Sequence, residues 1–161
     1  MKVIFLDIDG VLNYNGCRDL VGGIYFVNDD KIKLLKQIID RTDAKVVLSS
    51  TWRLGWFNID TNPNATPEKY SIADDFIRLR NKLKEYGITF LSRTPITKER
   101  YRGTEIDMWI KNWGGDAIES FVILDDESDM KPHMKHLVQT SWQTGLCQKD
   151  VDKAIKILGE K

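Results

Sequence analysis

Two short stretches carry most of the chemistry. In VIFLDIDGVLN, the apolar run Val3–Leu6 gives way to Asp7, Asp9 and Gly10. In FVILDDESD, Phe121–Leu124 gives way to Asp125, Asp126 and Asp129. Carboxylates held close repel one another and need a proton, a cation or a basic side chain between them. A hard divalent ion such as Mg²⁺ suits oxygen ligands and leaves room for a phosphate and water. The bland alternative for either stretch alone is loop capping. Two apolar runs that both end in acids favour convergence at one site.

Two further stretches could serve the same site. KVVLSSTWR ends an apolar run in Ser49, Ser50 and Thr51, followed by Arg53. Small hydroxyl donors and an arginine suit phosphate oxygens, although Ser and Thr also form ordinary turns. KERYRGTEI offers Lys98, Arg100 and Arg102 ahead of a helical pattern. One of these cations could neutralise a phosphate or brace the acids; the alternative is a solvated basic loop.

These residues need elements to position them. Val3–Ile8, Ala44–Leu48 and Ser120–Leu124 read as strands, with shorter candidates at Ile88–Leu91 and His136–Thr140. Their continuous apolar character predicts burial on both faces, as in a parallel sheet. Helical patterns fall between them, at Asp30–Arg41, Ser71–Tyr86, Thr104–Trp113 and Lys149–Leu158. Asn28 or Asp29 suits the first start. Gly87 suits the end of the second helix and Gly114-Gly115 the end of the third. Gln148 or a neighbour opens the last. The expected fold is α/β: a Rossmann-like three-layer sandwich around a mostly parallel five-stranded sheet, forming one domain over residues 1–161. Ligands of such sheets bind beyond the carboxyl ends of the strands, where Asp7 falls. The stretch from Trp52 to Tyr70, with Asn62, Pro63, Asn64 and Pro67, reads as a long surface loop.

Together the pieces resemble the haloacid dehalogenase (HAD) superfamily of phosphatases. LDIDGVL resembles its first motif, which implies Asp7 as nucleophile and Asp9 as general acid and base, with the Asp9 backbone carbonyl also on the metal. VVLSS resembles the second motif, implying Ser49 as the phosphate-binding hydroxyl beside Ser50 and Arg53. The third motif is a lone cation; Arg102 is preferred for opening the helix, and Lys98 comes second. ILDDESD resembles the fourth motif and implies Asp126, then Asp125, as metal ligand. The resemblance spans Val3 to about Leu158. VLSSTWR, RGTEI, ILDDESD and the TGL element at Thr144–Leu146 are most similar to small HAD domains associated with RNA-repair proteins.

The resemblance implies a Mg²⁺-dependent phosphatase working through an aspartyl-phosphate. Its substrate would be a phosphorylated molecule, a nucleic-acid end or nucleotide among the options, and RNA-repair proteins would be the partners by analogy. The second acid of the DxD pair disfavours carbon–halogen chemistry. The flap at about 11–28 and the irregular stretch at about 52–70 are too short for a cap domain, so an open site is expected. Trp52, Trp56, Phe57 and Tyr70 could stack on a base there, or pack the loop onto the core. His133 and His136 read as structural. The competing readings are a receiver-like phospho-accepting domain, for which no suitable Asp follows Ile88–Leu91, and an idle binding module on the same fold.

Composition sets limits. With 24 basic and 24 acidic residues the formal net charge is zero, so an anionic substrate must be held by local charge. Cys17 and Cys147 lie far apart and outside any metal-binding spacing, which fits a reducing compartment. The N-terminal apolar run is short and broken by acids, and no span suits a membrane. The expected location is cytoplasmic.

Overall fold

The structure is a computed structural model that describes residues 1–113 and 115–161. Five parallel strands form the central sheet: β1 (Lys2–Leu6), β4 (Lys45–Leu48), β5 (Phe90–Arg93), β6 (Ser120–Asp125) and β7 (Leu137–Gln139). A hairpin of β2 (Leu20–Val21) and β3 (Ile24–Tyr25) lies apart from them. The sheet order β5-β4-β1-β6-β7 puts β1 at the centre, with β4 and β6 as its neighbours. Leu6 is in register with Leu48 on one side and Leu124 on the other. The three strands that precede the serines and the two acidic clusters therefore end side by side. The sequence put each polar group at the end of its own apolar run, and the sheet order makes the three runs neighbours.

Helices α1 (Asp29–Thr42), α2 (Arg53–Thr61), α3 (Ile72–Glu85), α4 (Arg102–Trp113) and α5 (Gln148–Leu158) accompany the sheet. Asn28 caps α1 by accepting from the N–H groups of Asp30 and Lys31, and Ser71 caps α3 through Asp74 N–H. One apolar cluster packs Ile4, Leu6, Leu48 and Leu124 against Ile32, Leu35, Phe76 and Ile155. The other face buries Val3, Phe5, Val47 and Ile123 under Ile106 and Trp109 of α4. Alternate residues of β1 thus feed opposite cores, giving the three-layer sandwich and the continuous apolar runs.

Three boundaries differ from expectation. Arg53–Thr61, read as loop, is helix α2. Gly55 and the Asn-Pro cluster beyond it masked a short helix that tertiary packing supports: an added Cβ at Gly55 would lie 2.1 Å from the Ile72 carbonyl oxygen, so α2 and α3 touch backbone to backbone. The fourth expected strand begins later, at Phe90, because Ile88 N–H bonds back to the Leu83 carbonyl and so terminates α3. The fifth expected strand starts at Leu137, since Met134–His136 forms a 3-10 turn. The flap is also more ordered than a bare loop, as it carries the hairpin. The Gly114 half of the expected helix stop lies outside the described residues; Gly115 opens a short 3-10 turn.

Candidate active site

Asp7 sits where the ladder of β1 runs out. Its N–H donates to the Leu124 carbonyl at 2.9 Å, and Ser49 N–H donates to the Leu6 carbonyl at 2.9 Å. The Asp7 carboxylate is buried, and an oxygen from each of Asp7, Asp125 and Asp126 lies within 4.8 Å of the others. The two acidic clusters meet. Arg102, in the first turn of α4, reaches into them: Nη1 stands 2.5 Å from Asp125 Oδ2 and 3.3 Å from Asp7 Oδ1. One guanidinium thus reaches two of the three carboxylates, leaving an excess of negative charge.

That excess appears in the acidities. Burial first, then the Asp7 charge, pushes Asp125 up to about 8 against the pull of Arg102. Burial and Asp7 push Asp126 up to about 6. Burial also raises Asp7, opposed by Arg102 and by a hydrogen bond from the Ser50 hydroxyl. Burial alone would lower Arg102, but Asp7, Asp125 and Asp129 outweigh it and hold it above its ordinary value. A group of oxygen donors stripped of water and short of positive charge fits a hard divalent cation. Asp126 has no cation partner among the described residues, whereas Asp125 is engaged by Arg102 and by Glu127 N–H at 2.9 Å.

Asp9 is held differently. Its Oδ1 accepts from Asn13 Nδ2 at 2.8 Å and its Oδ2 from Trp52 Nε1 at 3.1 Å. Its carboxylate is thus directed by two donors and stands outside the Asp7–Asp125–Asp126 group. Asn13 closes the loop by accepting from Gly10 N–H at 2.9 Å. Gly10 has φ +78°, and an added Cβ would lie 2.5 Å from Asp126 Cγ. Glycine therefore serves both the left-handed turn and the approach of Asp126. From the far end of the chain, Thr140 Oγ1 donates to the Gly10 carbonyl at 2.6 Å and Leu146 N–H to the Val11 carbonyl at 2.8 Å. Thr140 and the TGL element thereby clamp the loop that carries Asp9.

The remaining candidates divide. The hydroxyl beside Asp7 belongs to Ser50, which also accepts from Trp52 N–H at 3.3 Å. Ser49 Oγ, the hydroxyl preferred from the sequence, is enclosed and has no partner among the described residues. Arg53, expected to bind substrate, is buried and committed to the protein. Its Nη1 donates to the Ser49 and Ser50 carbonyls at 2.6 and 2.8 Å, and its Nη2 to Glu105 Oε2 at 2.6 Å. It braces the serine turn from behind. Lys98 is exposed on a turn and has no ion pair among the described residues. Asp129 accepts from Arg102 N–H at 3.1 Å and so caps α4 outside the acidic group.

Several of the aromatics pack. Trp56 stacks on Phe76 at 5.2 Å, and Arg93 covers Phe57 at 3.8 Å. Trp52 packs against the core as well, and its indole N–H reaches Asp9. His136 stacks on Phe121 at 3.9 Å, and His133 lies 3.3 Å from Asp107, as structural histidines. Glu105, Asn13 and Thr140 were not singled out as site residues, and Trp52 was read as a base-stacking candidate rather than as a donor to Asp9. Only Asn13, four residues beyond Asp9, lay close enough in sequence to be noticed.

A five-stranded parallel sheet with acids at the ends of β1 and β6, serines at the end of β4 and an arginine opening α4 defines a small HAD-type α/β domain. A scan of protein families matches residues 3–151 to the family described as HAD domain in Swiss Army Knife RNA repair proteins. The chain belongs to that family, within a superfamily of hydrolases. Comparisons with curated proteins and with solved structures return no match. Among the described residues no helix is long and apolar enough to cross a membrane.

Proposed function

We propose that this chain is a phosphatase that hydrolyses a phosphate monoester with Mg²⁺ as cofactor, using Asp7 as nucleophile. The observation that carries this reading is the meeting of Asp7, Asp125 and Asp126 around an incomplete balance of charge. Asp7 and Asp126, with the Asp9 carbonyl, would hold the ion, while Asp125 fixes Arg102. The ion would supply positive charge that offsets repulsion between a carboxylate and a phosphate dianion.

The residues then divide the work. An Asp7 oxygen attacks phosphorus as the bond to the leaving oxygen breaks, giving an aspartyl-phosphate. Asp9, aimed by Trp52 and Asn13, would act as the general acid that gives a proton to the leaving oxygen. The Asp9 carboxylate then takes a proton from water. The water oxygen attacks phosphorus, the acyl-phosphate P–O bond breaks, and inorganic phosphate leaves with Asp7 restored. Arg102 and the Ser50 hydroxyl orient Asp7 and stand near the phosphoryl oxygens as charge develops.

No separate cap domain occupies either insertion region among the described residues, which suits a large substrate such as a nucleic-acid end. The family's association with RNA repair supports the same substrate class, repair proteins as partners and a cytoplasmic setting. The test is phosphate release from 3′- and 5′-phosphorylated RNA and DNA ends and from nucleotides, with and without Mg²⁺. Release should need Mg²⁺ and vanish in Asp7→Asn. Undiminished release in that variant would refute the mechanism.

A further inference from the structure

Beside the acids lies a second feature. A cavity of about 200 Å³ is lined by Thr51, Trp52, Leu54, Gly55, Ile72 and Asp75. It adjoins the site through sequence and contact. Thr51 follows the serine whose hydroxyl meets Asp7, and the Trp52 indole donates to Asp9 at 3.1 Å. Its walls combine an indole, Leu54 and an Ile72 side chain that is 55% exposed, an unusual place for isoleucine on a first helical turn. Asp75 supplies the polar element. Its Oδ1 is enclosed and meets no donor among the described residues, while neighbouring Asp74 is engaged by Arg78 at 2.9 Å. Burial, then Asp74, raises the Asp75 pKa, as expected for a carboxylate lacking a partner. A buried acceptor without a donor costs stability unless a ligand or water completes it.

The direction of the chemistry selects this cavity. On the reading proposed above, Asp9 protonates the leaving oxygen, so the organic part of the substrate departs on the Asp9 side. Trp52 is the residue shared by Asp9 and the cavity. We propose that this cavity seats the leaving group of the substrate, a nucleoside whose ring packs on Trp52 and Ile72 while a hydroxyl or amino N–H donates to Asp75. The apolar walls accept a flat ring, and the volume matches a base or sugar rather than a longer chain.

The proposal rests on the phosphatase reading for its direction, so its test reads binding rather than turnover. Titration calorimetry would use the full chain carrying Asp7→Asn, with Mg²⁺, against adenosine 5′-monophosphate, adenosine 3′-monophosphate and phenyl phosphate. The nucleotides should bind more tightly than phenyl phosphate. Adding Asp75→Asn should weaken at least one nucleotide by about tenfold or more, the scale of a hydrogen bond to a charged group. It should weaken phenyl phosphate by much less. Purine riboside and 2′-deoxyadenosine monophosphates, used without any change at Asp75, tell the base amine from the ribose hydroxyl as donor. Equal affinity for nucleotides and phenyl phosphate, or an equal loss for both in the Asp75 variant, would overturn the assignment. Failure of turnover in the wild-type chain would count against the phosphatase reading alone.

Discussion

Trp52 Nε1 lies 3.1 Å from Asp9 Oδ2, joining the turn after β4 to the acid after β1. This hydrogen bond and the one from Asn13 fix the direction of a carboxylate that would otherwise be free to rotate. Trp52→Phe removes the N–H and keeps most of the ring. The rate should fall about tenfold or more for phosphate esters of alcohols, whose leaving oxygen needs a proton, and less for 4-nitrophenyl phosphate, whose leaving group is already stable. An equal loss on both would show that Trp52 acts elsewhere.

Arg53 and Glu105 form an ion pair at 2.6 Å with both side chains buried. Thr97 N–H also donates to Glu105 at 2.8 Å. Glu105→Gln leaves the Arg53 charge enclosed and uncompensated, a change that costs about 3–5 kcal/mol. Urea unfolding should show this loss. Replacing both partners, Arg53→Met with Glu105→Leu, should be less damaging than Glu105→Gln alone.

Gly10→Ala meets two obstacles at once. Its φ of +78° is unfavourable for alanine by about 1–2 kcal/mol, and the new methyl would overlap Asp126. We expect Asp126 to be displaced and the Mg²⁺ concentration for half-maximal phosphate release to rise, with the far-ultraviolet circular dichroism of the folded chain retained. Unaltered metal dependence would exclude Asp126 from the ion.

The paired serines make a comparison. Ser50→Ala removes the hydroxyl that bonds to Asp7 and should lower the turnover rate. Ser49→Ala removes an enclosed hydroxyl without a partner among the described residues, so thermal stability should hold or rise slightly. Turnover measured beside melting temperature separates the two.

Acidity provides the fifth check. Asp125 and Asp126 rise from an ordinary value of 3.8 to about 8 and about 6 on folding. The folded chain therefore binds these protons more tightly than the unfolded one. The associated stability is fully present below 3.8 and is lost as pH rises, through about 6 for Asp126 and about 8 for Asp125. In chelator-treated protein, melting temperature should decline across that window. Added Mg²⁺ should offset the decline and stabilise more at the alkaline end, where protons no longer compete for the carboxylates.

The sheet was readable from sequence because β1, β4 and β6 are buried on both faces and carry unbroken apolar runs. The acids were readable for the same reason, since each follows a run directly. Helix α2 was obscured because its stability comes from packing against α3, visible only once Gly55 is seen against Ile72. The commitment of Arg53 to Glu105 was hidden by their separation of 52 positions in sequence. Ser49 and Ser50 are adjacent in a turn, where strand alternation no longer says which hydroxyl faces Asp7. Asp9 was expected among the converging acids on spacing alone, and its carboxylate lies apart because Trp52 and Asn13 supply donors that spacing does not reveal.

The clasp on the Asp9 loop has a consequence for biosynthesis. Gly10 and Val11 are secured by Thr140 and Leu146, so the first motif to leave the ribosome waits for residues about 130 positions later. A nascent chain that has exposed β1, β4 and even β6 still lacks that fastening. Catalytic competence should therefore arise late in translation, once the segment after β7 has emerged and docked.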